Sequence, residues 1–525
     1  MTLTELQQRY ASHPNTEAAL SILKRPDVRH LYLDGLHASA APLFFASLFT
    51  KSQGSALFIL GDLEEAGYFY HDLCQTLGTE QVLFFPSSFR RAIKYGQKDA
   101  ANEILRTEVL SRLQKDGQQL CIVTYPDALA EKVVSKVELE DKTLKLHRGE
   151  RVDMTFITDM LRSYGFEYVD YVYEPGQFAV RGSLIDVFSF SSEYPYRIDF
   201  FGDEVDSLRT FEVESQLSKE QKDSIVIVPD LSRDLEQKGQ GGMVSLLDFL
   251  PQDCLLSMKD LLWLRERIQQ VHDEALSPQA IAAREAEENG AISLDGKLID
   301  GGEFTVRALD FRRVEFGTKP TGTPDASLLF DTTAQPIFHK NFDLVADSFK
   351  QYMQQGYTLF ICSDSQKQTN RLHDIFEERG DNIQFTAVDR TLHEGFADNT
   401  LRLCIFTDHQ LFDRFHKYNL KSDRARGGKV ALSLKELNQF SPGDYVVHTD
   451  HGIGRFAGLV RIPNGNTTQE VMKLVYQNDD VVFVSIHSLH KVSKYKGKEG
   501  EAPRLNKLGT GAWEKLKDRT KKKIK

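Results

Sequence analysis

The first stretch with residue types and spacing suited to phosphate chemistry is LYLDGLHASAAP, residues 31–42. A glycine at a strand-to-turn junction suits a loop whose backbone N–H groups wrap a nucleotide phosphate, and the working pattern is G-x-x-x-x-G-K-[ST]. Counted from Gly35, the second glycine is replaced by Ala40, the lysine by Ala41 and the magnesium-binding hydroxyl by Pro42. Close backbone approach, charge neutralisation and metal coordination are all lost, so this degenerate loop is expected to bind no nucleotide. The structural reading is that Ser39 caps a helix with Pro42 in its first turn. A second candidate, His272-Asp273-Glu274-Ala275, spells a helicase-type acidic box. It follows the helical pattern LLWLRERIQQV instead of an apolar strand, and reads as a solvated helix face. His448 and His451 lie three apart without further ligands at suitable spacing, so a structural turn and no metal are expected. No residue is assigned a catalytic role.

A different chemistry, recognition of a partner protein, is written in PYRIDFFGDEVDSLR, residues 195–209. If the segment is extended, Tyr196, Ile198 and Phe200 share one face while Arg197, Asp199 and Phe201 share the other. The first set is a core face. Phe201 is then left among charges on the exposed face, where an aromatic beside an arginine makes a binding hot spot. Arginines suit charge-assisted pairing to carboxylates of a partner. The alternative is pairing inside the domain, with Asp199, Asp203 or Glu204.

The elements that position these residues follow from periodicity. Over 30–125, the apolar runs HLYLDG, SALFILGD, QVLFFP and LCIVTY alternate with helical stretches such as 100–114, the pattern of a parallel sheet with crossover helices. Short strands and tight turns over 143–214, with one helix at 153–164, predict a β-rich insertion bounded at 143–228. SIVIVPD and helical stretches between 243 and 288 resume the α/β style. Residues 318–335 read as a linker. A second small α/β domain spans 336–420, with helices at 342–355 and 366–378 and strands in TLFICS and LRLCIFTD. A basic, glycine-containing linker, 421–439, leads to an all-β unit at 440–500 with strands at 445–448, 454–462, 470–476 and 481–486. A basic helical tail, 501–525, follows.

The expected fold class is therefore multidomain α/β: a degenerate helicase-like (P-loop-type) α/β domain, 1–142 and 229–317, with an inserted β-rich domain, a second small α/β domain and a small C-terminal Tudor/SH3-like β-barrel. With 41% hydrophobic and 27% charged residues the chain has apolar side chains for several cores. Its formal charge of −11 argues against coating nucleic acid over the whole surface. Five scattered cysteines read as reduced core residues. Without a signal peptide or an 18-residue apolar run, a cytoplasmic monomer with no membrane contact is expected.

The insertion carries Arg181-Gly182-Ser183-Leu184-Ile185-Asp186-Val187-Phe188, then Pro195-Tyr196-Arg197-Ile198-Asp199-Phe200-Phe201. An α/β domain with a degenerate phosphate loop, interrupted by this insertion, resembles the UvrB-homology module of the bacterial transcription-repair coupling factors, the Mfd family. UvrB shares the insertion but keeps a working phosphate loop and a tyrosine-rich hairpin, near which this chain shows only FFPSSFRRAIKYGQ. The C-terminal GDYVVHTDHGIGRFAGL, with VYQNDDVVFVSIHSLHKVSKY and APRLNKLGTGAWEKLK, resembles the family's RNA-polymerase-interacting, CarD-related domain. No motif carries the resemblance over 216–318.

The resemblance implies that Arg181, Arg197 and Phe201 contact UvrA. It also implies that an edge near Arg461, Ile462 and Phe483 contacts the β subunit of RNA polymerase by strand pairing, against the alternative of an ordinary barrel surface. The family continues into an ATP-driven double-stranded DNA translocase motor, none of whose motifs precede Lys525. An N-terminal fragment is thus expected, a platform in transcription-coupled nucleotide excision repair with no cofactor of its own, ATP, magnesium and DNA belonging to the motor. The competing readings are a UvrB-like ATP-dependent damage-verification enzyme and a CarD-like transcription regulator without a repair role.

Overall fold

Val82–Phe84, Cys121–Thr124, Ala56–Ile59, Leu255–Met258, Arg312–Glu315, His30–Asp34 and Ala326–Leu329 lie side by side in that order in one seven-stranded sheet. Every adjacent pair is parallel. Ala56–Ile59 and Cys121–Thr124 are buried at every residue, as strands of a parallel sheet covered on both faces must be. This is the sheet that the alternating apolar runs predict. The computed structural model describes residues 1–88, 100–115, 117–213, 215–231, 243–285, 294–414, 416, 418, 442–448, 450–464, 467–485, 492–495, 503, 505–508 and 513. Side chains are described for these except 100, 101, 283–285, 461–464, 467–470, 485, 493 and 494. The chain divides into two units, Met1–Asp141 with Leu231–Leu420 and Lys142–Asp230 with Lys421–Lys525.

Residues 318–335, expected as a linker, are built into two sheets of the first unit. Ala326–Leu329 pairs with His30–Asp34, and Thr332–Ala334 pairs antiparallel with Phe396–Asp398. The second sheet has the order Thr332–Ala334, Phe396–Asp398, Leu403–Thr407, Thr358–Cys362, Thr386–Val388. Its helices, Phe342–Gln354 and Gln366–Glu378, stand where periodicity puts them, and Val345, Phe349, Leu372 and Phe376 pack them against Leu359, Ile361 and Phe406. His272, Asp273 and Glu274 lie in the helix Leu261–Ala275, with both carboxylates exposed. All five cysteines are free thiols. Among the described residues no helix is long and apolar enough to cross a membrane.

In the second unit, Ser218–Lys222, Glu204–Phe211, Tyr196–Phe201, Leu184–Val187, Gln177–Arg181 and Glu167–Tyr168 form a six-stranded sheet. The helix Met154–Ser163 covers one face with Ile157 and Leu161, against Phe178, Ile185, Ile198 and Leu208. Asp153 starts this helix by accepting the Thr155 N–H. SIVIVPD does not resume the α/β domain: Ser224–Ile227 pairs antiparallel with Leu144–His147, so both ends of the insertion meet in one ribbon.

The C-terminal strands run Val481–Ser485, Thr467–Val475, Gly452–Asn464, Tyr445–His448, Val492–Lys494, all antiparallel. Val446, Phe456, Met472, Leu474, Tyr476 and Val484 form their core. Among the described residues no pairing joins the two outermost strands. The linker 421–439 and nearly all of the tail 501–525 lie outside the described residues, as do residues 89–99 of the hairpin-like segment.

Candidate functional site

The strand Tyr196–Phe201 has the two faces that its sequence alternation predicts. Ile198 and Phe200 are buried in the core, Arg197 and Asp199 are half-buried on the opposite face, and Phe201 is 84% exposed. A β-bulge keeps the neighbouring strand in step. Asp199 pairs with Ser207 but Phe200 with Val205, which leaves Asp206 as the extra residue. Val205 and Leu208, three apart, can then both point into the core.

Two hairpins aim this face. Arg181 pairs with Leu184 around Gly182-Ser183, and Phe201 pairs with Glu204 around Gly202-Asp203. Gly182 has φ +62° and Gly202 φ +64° at the first central position, the conformation that a type II′ turn needs and that costs glycine least. The two tips are joined by Phe200 N–H donating to Ser183 O at 2.9 Å, and the Ser183 hydroxyl reaches Asp199 at 3.1 Å. Phe201 thus stands at the end of a fixed ribbon, and among the described residues no partner covers its ring.

The arginines are not free. Arg197 holds Asp186 through two parallel bonds, Nε to Oδ1 at 2.8 Å and Nη2 to Oδ2 at 2.9 Å, and donates a third to the Gln216 carbonyl at 3.1 Å. Its guanidinium also lies 4.5 Å from the Phe211 ring centre. Arg181 shares Asp186 Oδ2 with Arg197 and lies 4.9 Å from the Tyr171 ring centre. Asp186 is 1% exposed, Arg197 14% and Arg181 31%. Internal pairing therefore exists, but its acceptor is Asp186 and not the expected Asp199, Asp203 or Glu204. Of those three, Asp199 pairs with Arg209 at 3.4 Å and Glu204 with Arg151 at 3.7 Å. The Asp186 cluster carries one net positive charge, and its exposed part is the edge of Arg181. Sequence reasoning missed Asp186 as a site residue. Its signal was cross-strand register, since Asp186 pairs directly with Arg197.

In the C-terminal sheet, Arg461 and Ile462 lie in Gly452–Asn464, opposite Glu470 and Gln469. Their side chains are outside the described residues. Tyr445–His448 covers the other edge of that strand only at Gly452–Arg455, so among the described residues Leu459–Asn464 has a strand on one side alone. Phe483 sits on the outermost strand opposite Lys473 and is 49% exposed. His448 and His451 stack at 4.5 Å between ring centres, and His448 Nδ1 accepts the Asp450 N–H at 3.1 Å, which fits a turn that the imidazole holds in shape.

At the phosphate-loop positions, Gly35 has φ +80°, and a Cβ there would lie 2.0 Å from the Phe330 carbonyl oxygen. Chain packing alone requires this glycine. Ser39 does occupy the cap of the helix Ala40–Lys51, with Pro42 in its first turn, but its hydroxyl makes no capping bond. It donates instead to Asp72 Oδ2 at 2.6 Å. The adjoining pocket, about 370 Å³, is lined by Asp62, Glu64, Glu65, Asp72 and Glu394. Its one lysine, Lys259, is paired with Glu65. A cavity so lined repels a polyphosphate.

Residues 144–232 match the family described as the UvrB interaction domain, and residues 440–496 match the CarD-like/TRCF RID domain. Among curated proteins, the transcription-repair-coupling factor of Staphylococcus aureus (strain Mu50) is 24% identical over 93% of this chain and 47% of its own length. That of Bacillus subtilis (strain 168) is 23% identical over 94% of this chain and 47% of its own length. The chain joins a UvrB interaction domain to a CarD-like domain. Along nearly all of its length it is similar to the transcription-repair-coupling factors, and it spans about half the length of the curated relatives it matches.

Proposed function

We propose that this chain is a docking platform in transcription-coupled nucleotide excision repair, holding UvrA on its inserted domain and RNA polymerase on its C-terminal sheet. The observation that carries the reading is Phe201: an aromatic ring with most of its surface in water, set at the tip of a hairpin two strands away from the part-exposed Arg181 in the same sheet. An apolar anchor and a cation on one sheet are what a recessed apolar site rimmed by carboxylates on UvrA would accept. Arg197 supports that surface from below. On the second module, strand pairing along 459–464, with Phe483, Arg461 and Ile462 around it, supports docking to the β subunit; closure into a Tudor/SH3-like barrel belongs to the same proposal. A chain of this kind contributes binding and no catalysis, needs no cofactor or metal, and leaves ATP, magnesium and double-stranded DNA to a translocase motor of the kind the resemblance implies.

The test is bridging. Mixed with purified UvrA and a β-subunit fragment, the chain is expected to co-elute with both in one complex, and Phe201→Ala to lose UvrA while keeping the β fragment. Separate elution of all three components contradicts the proposal. The enzymatic reading, a UvrB-like verifier, requires nucleotide at residues 35–42. Titration with a fluorescent ATP analogue is expected to give no saturable signal, and saturable micromolar binding would overturn the platform reading in favour of the enzyme.

A further inference from the structure

Ser39 and Asp72, in the seven-stranded lobe, close a ring of hydrogen bonds with two consecutive amides of the second α/β lobe. The Ser39 hydroxyl donates to Asp72 Oδ2 at 2.6 Å. Asp72 Oδ1 accepts the His393 N–H at 2.8 Å, and Ser39 Oγ accepts the Glu394 N–H at 2.9 Å. Ser39 is 2% and Asp72 2% exposed. Two side chains from one lobe thus hold two backbone donors from the other, and all four groups find partners.

Imidazoles crowd the same junction. The His393 ring stacks on Tyr68 at 3.5 Å between centres, and Tyr68 donates its hydroxyl to the His416 carbonyl at 2.8 Å. His416 lies 4.4 Å from His409, 4.9 Å from His71 and 6.2 Å from His393. His409 donates Nε2–H to the His393 carbonyl at 2.7 Å, which fixes its neutral tautomer. The charges facing the cluster are Asp364 and Asp408, with Arg414 paired to Asp408 at 2.7 Å, and Glu394, which faces Lys259 and Glu65. Four imidazoles this close cannot all be protonated while the lobes are joined.

We propose that the Ser39–Asp72 ring and the four-imidazole cluster form a proton-sensitive lock that joins the two lobes of this unit and releases on acidification. It gives the 336–420 domain a role independent of the docking reading above: the positions that would cradle a phosphate now hold a neighbouring lobe.

The direction follows from burial. Desolvation, reinforced by the neighbouring imidazoles, lowers His71 to about 4, His393 to about 3 and His409 to about 4. These rings stay neutral when docked and take up protons near their ordinary value of 6.5 when the lobes part. Docking is therefore intact above about pH 6.5 and weakens below it. Asp72 opposes this. Burial raises its carboxyl to about 7, so its own protonation favours the docked form as the pH falls. As the pH falls from 7 to 5 the four imidazoles favour release, while Asp72 and Glu394, both raised by burial, take back part of it.

The test is hydrogen exchange of the full chain from pH 7.5 to 5, corrected for intrinsic rates, read at the amides of His393 and Glu394. Protection there is expected to fall at least tenfold while that of Cys121–Thr124 is kept. Constant protection at 393–394, or loss in parallel with Cys121–Thr124, overturns the lock. His71→Gln with His409→Gln removes two of the proton acceptors and keeps an N–H donor at 409. This variant is expected to reduce the loss severalfold, and an unchanged pH profile also overturns the proposal.

Discussion

Arg197 and Asp186 face each other across adjacent strands, joined by two parallel hydrogen bonds of 2.8 and 2.9 Å, and this pair turns a strand of alternating residues into a presented surface. The carboxylate is out of water, with Arg197 on both of its oxygens and Arg181 sharing Oδ2. Arg197 cannot move away without giving up both of its bonds to this buried carboxylate.

Removing the carboxylate should therefore cost more than removing either arginine. Asp186→Ala leaves two guanidinium groups facing each other, and breaking a buried pair from one side typically costs about 3–5 kcal/mol. Arg181→Ala leaves Asp186 still held bidentately, and at 31% exposure the lost pair is partly screened, so about 1 kcal/mol is expected. Urea denaturation of the two variants checks the order; equal losses contradict it.

Phe201→Ala removes a ring that is 84% exposed among the described residues. Stability should change by less than about 0.5 kcal/mol. If the ring is the anchor, affinity for UvrA should fall by about 2 kcal/mol or more, roughly thirtyfold. Thermal melting and a binding titration on the same preparation separate the two effects.

Gly35→Ala tests what the degenerate loop is for. The added methyl would sit 2.0 Å from the Phe330 carbonyl oxygen in a left-handed backbone, so a loss of about 2–3 kcal/mol is expected, with no nucleotide present. An unchanged melting temperature would show that the backbone relaxes and that packing does not require the glycine.

Phe483→Ala, at 49% exposure on the outermost strand, should leave the fold intact and weaken capture of the polymerase β subunit severalfold, measured with a purified β fragment.

Much of this architecture is legible in the sequence because burial writes periodicity. The helix Gln366–Glu378 and the strand Tyr445–His448 can be read to the residue, and the two faces of Tyr196–Phe201 follow from alternation. What escapes lacks a local signature. Ser218–Lys222 is exposed at every residue, so it shows no apolar alternation. Ala326–Leu329 and Thr332–Ala334 are short pieces within a stretch of turn-forming residues, and only the sheets they join make them strands. Asp186 is visible as a residue but not as the partner of Arg197, because pairing depends on the register of strands whose connecting turn lies between them. Ser39 is placed correctly at a helix start, yet its hydroxyl is claimed by Asp72, 33 residues on, and sequence separation hides that choice.

The central claim is that the inserted domain presents Phe201 and Arg181 to UvrA on a frame held by Asp186. The most direct test is the dissociation constant of UvrA for the wild-type chain, Phe201→Ala and Arg181→Ala, each shown to melt as a folded protein. At least tenfold weaker binding of both variants is predicted; equal affinity across the three would contradict the account.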